Sequence, residues 1–185
     1  MNNQWFSKVA IYVVIAYNSL MRLRNEIDNS WRQIDVQLKR RHDLIPNLVE
    51  AVKGYMQFER DTLTQVVEAR SRAISAPSQG ARLEAENQLS AGLGRLLAVM
   101  ENYPQLKADQ NVLQLQEQLA TTENQIAFSR QAYNDVVLQL NTRIETFPSN
   151  IIANNFGFKT ADYFKAAAED QALPKVDLSL GTPRA

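Results

Sequence analysis

The sequence predicts an all-α protein, an up-and-down antiparallel bundle of about four main helices with an N-terminal hydrophobic segment. Three observations predict it. Apolar residues recur at three- and four-residue steps over long stretches, and no strand alternation of useful length occurs. Glycine and proline number six each, while Ala, Leu, Gln, Asn and Glu are plentiful, a composition that favours helix. Pro46, Pro77, Pro104 and Pro148 fall where apolar stripes break or stop.

The first element is the apolar run at residues 9–16, about 12 Å long as a helix at ~1.5 Å per residue. Extended from Trp5 to Leu23 it reaches roughly 28 Å, near the ~30 Å hydrocarbon thickness of a bilayer. Lys8 and Arg22 can snorkel from its two ends, and Trp5, Tyr12 and Tyr17 suit interfacial positions. No small-x-small site follows, which argues against a cleaved signal peptide. The expected division is a membrane-anchor segment at residues 1–21, a bundle domain at 22–172 and an extended tail at 173–185. The competing reading makes the apolar run the start of the first bundle helix.

The next stripe is Leu20, Leu23, Ile27, Trp31, Ile34, Leu38 and Ile45. Pro46 lacks a backbone N–H, so a break or kink is expected at residues 43–46, with Asp43 able to cap a new helix. The second stripe runs Leu48, Val49, Val52, Tyr55, Leu63, Val66 and Val67, and stops before the loop at 76–81. A third helix carries Leu83, Leu89, Leu93, Leu96, Leu97 and Met100. The fourth spans about 109–146, with one seam row at Val112, Leu119, Ile126, Tyr133, Leu140 and Phe147. Its companion row is Gln116, Glu123, Arg130, Val137 and Ile144. Such seven-residue repetition is bundle packing. A short helix capped by Ser149 follows, and Gly157 marks its stop.

Polar residues in phase with these seams are the candidate site. Folding back at Pro46 would place Glu59 and Glu123 at one level, about 20 Å from the turn, with Arg130 two turns on neutralising a carboxylate. Arg41 would join this layer only if the helix continued through Pro46. Tyr133 follows Arg130 on the seam. The layer Arg41, Glu59, Glu123, Arg130 and Tyr133 reads first as a device fixing helix register, and second as a small polar pocket or docking point. The basic run Lys39, Arg40, Arg41 and His42 reads as a solvated helix end.

Other classes find little support. Twenty basic residues balance twenty acidic ones, which gives no electrostatic case for nucleic acid. With no cysteine, disulfides and thiolate metal sites are excluded. No Glu-x-x-His pair exists for a di-metal bundle, no glycine loop cradles phosphate, and a single histidine leaves little for a triad. No catalytic residue, metal or cofactor is expected.

Three long motifs, WRQIDVQLKRRHDLIPNLVEAVKGY, TENQIAFSRQAYN and FPSNIIANNFGF with the later PKVDL, resemble the LemA family of bacterial proteins from residue 17 to about 176. The resemblance implies a helical bundle carried by a short membrane segment at the bacterial inner membrane, with no established reaction. Related domains occur in proteins linked to membrane-compartment formation and beside membrane proteases. The expected partners are the membrane, through the N-terminal segment, and one or more unidentified proteins. The expected role is a non-enzymatic interaction or scaffold module, or alternatively a sensory bundle for a small polar ligand. Arg22, Arg24, Arg32, Lys39 and Arg40 follow the apolar run and only Lys8 precedes it, which places the bundle on the cytoplasmic side.

Overall fold

The computed structural model describes residues 3–164, and the expected tail at 173–185 lies outside them. Six α-helices form in order: α1 (Asn3–Lys53), α2 (Arg60–Ser75), α3 (Gln79–Met100), α4 (Pro104–Ala108), α5 (Gln110–Glu145) and α6 (Ser149–Asn155). The four long ones run up, down, up and down. The contacting pairs Arg41–Glu123 and Trp31–Tyr133 of α1 and α5, and Tyr55–Asp109 just beyond their ends, count in opposite directions, so these helices are antiparallel along most of their length.

The expected break at Pro46 is absent: α1 is one helix of 51 residues, about 76 Å long. A proline inside a helix removes the hydrogen bond to the carbonyl four residues back. Here that carbonyl belongs to His42, and the Nε of Arg70 on α2 donates to it at 2.7 Å. The oxygen is satisfied from a neighbouring helix, so the proline no longer ends α1. The reversal comes after Lys53 instead, and the stripe expected on one second helix divides between the end of α1 and α2.

The other ends follow their local chemistry. Ser78 caps α3, its Oγ accepting from the Ala81 N–H at 3.2 Å. Asp109 caps α5 by accepting from the N–H groups of Asn111 and Val112. Ser149 is the first residue of α6 rather than its cap. Its hydroxyl donates to the Arg143 carbonyl at 2.6 Å and also reaches that of Thr146, satisfying the end of α5. Gly157 adopts φ +72°, the left-handed conformation glycine takes at lowest cost.

Two cores result. The upper one joins the last third of α1 (Ile45, Leu48, Val52) with α2, α3, Leu106 of α4 and the start of α5 (Val112, Leu119). The lower one joins Ala16 to Leu38 of α1 with Ile126 to Ile144 of α5, Ile152 and Ala153 of α6, and Phe164. Ala16 and Leu20 are already buried there, so the apolar N-terminal run merges into the bundle. Before them Val13 still touches the lower core, while Trp5, Phe6, Val9, Ile11, Tyr12, Val14 and Ile15 are exposed. No described helix is long and apolar enough to cross a membrane.

Candidate functional site

The two cores meet at a polar layer. On α1, Arg41 and His42 lie between Leu38 of the lower core and Leu44 of the upper one. On α5, Thr122 and Glu123 lie between Leu119 and Ile126. On α3, Glu86 precedes Leu89. Because α1 continues through Pro46, Arg41 faces inward and is 1 % exposed, while Glu86 is wholly buried.

Arg41 is the hub. Its Nη2 donates to Glu86 Oε2 at 2.5 Å, and its Nη1 to Glu123 Oε2 and Ser90 Oγ, both at 2.6 Å. Ser90 in turn donates to Glu123 Oε1 at 2.9 Å. His42 Nε2 lies 2.9 Å from the other Glu86 oxygen, and Arg82 approaches that oxygen at 3.9 Å while pairing with Asp35. A carboxylate buried this deeply survives only with charged partners on hand. Burial by itself would raise the Glu86 carboxyl; His42 and Arg41 beside it outweigh that and hold it below the ordinary range.

The structure brings Arg41 and Glu123 together, and Arg41 takes the neutralising role expected of Arg130. Glu59 is not in the layer. With the reversal moved past Lys53, it lies at the turn before α2, where the Tyr103 hydroxyl approaches it at 3.5 Å. Arg130 is half-buried one level down, donating to Asn87 at 2.5 Å with its guanidinium 3.9 Å from the centroid of the Phe164 ring. Tyr133 is buried below it and donates to the Asp162 carbonyl at 3.1 Å. Burial and the Asp162 carboxylate raise the Tyr133 phenol, keeping it a donor.

Glu86 and His42 are members of the layer that the sequence reading missed. Glu86 falls midway between Leu83 and Leu89 on the α3 stripe, a phase signal that could have found it. His42, expected at a solvated helix end, is buried for the same reason as Arg41. Glu123, with 42 % of its side chain exposed, brings Arg41 to solvent, and Arg82, 27 % exposed, does the same on the Glu86 side. Both carboxylates of the layer are paired with Arg41. Among the described residues no three His, Asp or Glu side chains converge as a ligand set for a metal.

Fold and site define a class: an elongated all-α bundle whose two cores are keyed together by a buried ionic layer. The chain belongs to the LemA family, whose family pattern matches residues 30–178. It is 29 % identical over 151 residues to Protein LemA of Metamycoplasma hominis, covering 81 % of this chain and 69 % of that protein. It is also 24 % identical over 198 residues to Magnetosome protein MamQ 2 of Paramagnetospirillum magneticum, covering 93 % and 71 %. Magnetosome protein MamQ of Magnetospirillum gryphiswaldense is 22 % identical over 178 residues, covering 82 % and 65 %.

Proposed function

We propose that this chain is a membrane-associated, non-enzymatic interaction or scaffold module. The observation that carries the reading is the bare end of α1, where seven large apolar side chains project beyond the lower core. Residues 4–12 stand clear of the core, roughly 14 Å of helix, less than the ~30 Å needed to span a hydrocarbon core. Such a segment inserts obliquely or lies at the interface, with Trp5 and Tyr12 at headgroup depth and Lys8 snorkelling. The likeness to magnetosome proteins supports a setting at a membrane-bounded compartment. The ionic layer serves as the rigid joint of the scaffold rather than as a catalytic centre.

Vesicle flotation tests this. The full chain is expected to float with vesicles containing anionic lipid, and Trp5→Ser with Phe6→Ser is expected to sink it. A full chain that stays with the dense fraction at every lipid composition overturns the membrane reading. Substrate turnover that is abolished by Glu123→Gln in a folded chain overturns the non-enzymatic one.

A second reading, a sensor of a small polar ligand, has one observation in its favour. A groove of about 350 Å³ between α1 and α5 is lined by Gln37, Thr121, Asn124, Gln125, Phe128 and Ser129, none of them charged. The Gln37 Oε1 is buried there with no hydrogen-bond donor. A ligand offering a donor would complete it, and Gln37→Leu would then abolish binding.

A further inference from the structure

After Gly157 the chain turns back and residues 158–164 run along α5 as a strap with no regular secondary structure. Two asparagines hold it by its backbone alone. Asn141 accepts from the Ala161 N–H at 2.9 Å and donates to the Ala161 carbonyl at 3.0 Å. Asn134, one heptad earlier, does the same to Phe164 at 2.8 and 3.0 Å. Seven helical residues rise about 10.5 Å and three extended residues about 9–10 Å, so the two repeats match. Tyr133 takes the intervening Asp162 carbonyl.

The strap's side chains follow the same period of three. Phe158, Ala161 and Phe164 face the helices, whereas Lys159, Thr160, Asp162 and Tyr163 are exposed. Phe164 is the anchor at 3 % exposure, beneath the Arg130 guanidinium and 6.2 Å from the Trp31 ring. Backbone clamps that ignore side-chain identity, together with one aromatic pocket, are the elements of an extended-peptide receptor. In this chain the receptor is filled by the chain's own segment.

We propose that this groove is an exchange site between copies: the strap of one chain seats in the Asn134–Asn141 groove of a second. The occupant is a second copy because the segment seen to fit the groove is this chain's own, and in trans it makes every contact it makes in cis. Gly157, at the positive φ that glycine adopts at lowest cost, is where the strap re-aims. Swapping needs no new interface chemistry. Opening is opposed by an effective cis concentration on the order of millimolar, so exchange requires crowding or a weakened cis strap. The proposal stands apart from membrane binding, since it needs nothing from the bare end of α1.

Two complementary variants test it. Asn134→Ala with Asn141→Ala keeps the strap and removes the clamp; Phe158→Ala with Phe164→Ala keeps the clamp and removes the anchors. Native mass spectrometry of the full chains is expected to show a one-to-one complex in the mixture and in neither variant alone. A labelled peptide of residues 156–164 is expected to bind the anchor-free variant at least tenfold tighter than wild type, and to dissolve the mixed complex. Should the anchor-free variant lose its helical circular dichroism, Ala161→Arg replaces it, since that position touches the groove only through the strap. Peptide binding without a mixed complex overturns the second copy as occupant, and absence of both overturns the groove itself. A flotation failure leaves each of these readouts unchanged.

Discussion

Arg70 gives the His42 carbonyl the hydrogen bond that Pro46 has no N–H to make. The pair explains a continuous 51-residue α1 and, through it, the burial of Arg41. It also ties α2 to α1 at the level of the polar layer. Arg70→Ala is expected to cost about 1–3 kcal/mol, the penalty for leaving a buried carbonyl unsatisfied. In a Pro46→Ala background, where an N–H returns, the same substitution is expected to cost well under half as much. Urea unfolding of the four chains measures the coupling, and strictly additive costs would show that the two sites are unrelated.

Arg41→Met is expected to destabilise the fold by about 3–5 kcal/mol, because Glu86 would keep its burial and lose its principal cation. Arg41→Met combined with Glu86→Leu is expected to recover most of that loss, since an apolar layer of similar volume needs no counter-charge. Thermal or chemical unfolding distinguishes the two. A double variant as weak as the single one would mean that packing, rather than charge, holds the layer.

Acid is expected to weaken the fold through Glu86. Its folded-state carboxyl titrates below the ordinary range, so the stability it lends is complete above the unfolded value of ~4.3 and is lost as pH falls through the depressed folded value. Unfolding midpoints taken between pH 7 and pH 3 check this. Glu86→Gln is expected to flatten the acid limb while lowering stability at pH 7, and an unchanged limb would assign the acid sensitivity to other carboxylates.

Glu59→Ala is expected to change stability by no more than about 0.5 kcal/mol, since Glu59 lies at the bundle end with a single long contact to Tyr103. A loss near that of Arg41→Met would return Glu59 to the layer.

Orientation at the membrane is tested with Lys107→Cys in a chain that has no native cysteine. Lys107 is exposed on α4, at the far end of the bundle from Trp5. The arginine and lysine excess after the apolar run predicts protection from a membrane-impermeant thiol reagent in intact cells, with labelling only after lysis. Labelling before lysis reverses the topology.

Much of the fold was legible because its signals are local. Val112, Leu119, Ile126, Tyr133 and Leu140 are buried as their seven-residue spacing requires, whereas Phe147, the last of that row, lies past the end of α5 at Glu145 and is exposed; Asp109 caps where an acidic residue precedes the stripe. What escaped notice depends on partners distant in sequence. Whether Pro46 ends a helix is decided by Arg70, 28 positions from the carbonyl it satisfies. Once α1 is continuous, Arg41 and His42 turn inward and Glu59 moves to the turn. The strap escaped for another reason: Asn134 and Asn141 bind backbone, and a residue that reads no side chain leaves no complementary pattern to find.

The unbroken α1 also sets a length. From Ala16, where the bundle first closes around it, to Lys53 is roughly 55 Å of helix, stiffened along its course by α5. At its far end the turn presents Phe58, 95 % exposed. Were the bare end inserted obliquely in a bilayer, the unbroken α1 would carry this aromatic tip clear of the headgroup layer. A partner meeting that tip would be one that itself reaches well out from the membrane surface, and shortening α1 by whole heptads would draw that meeting point inward by about 10 Å each time.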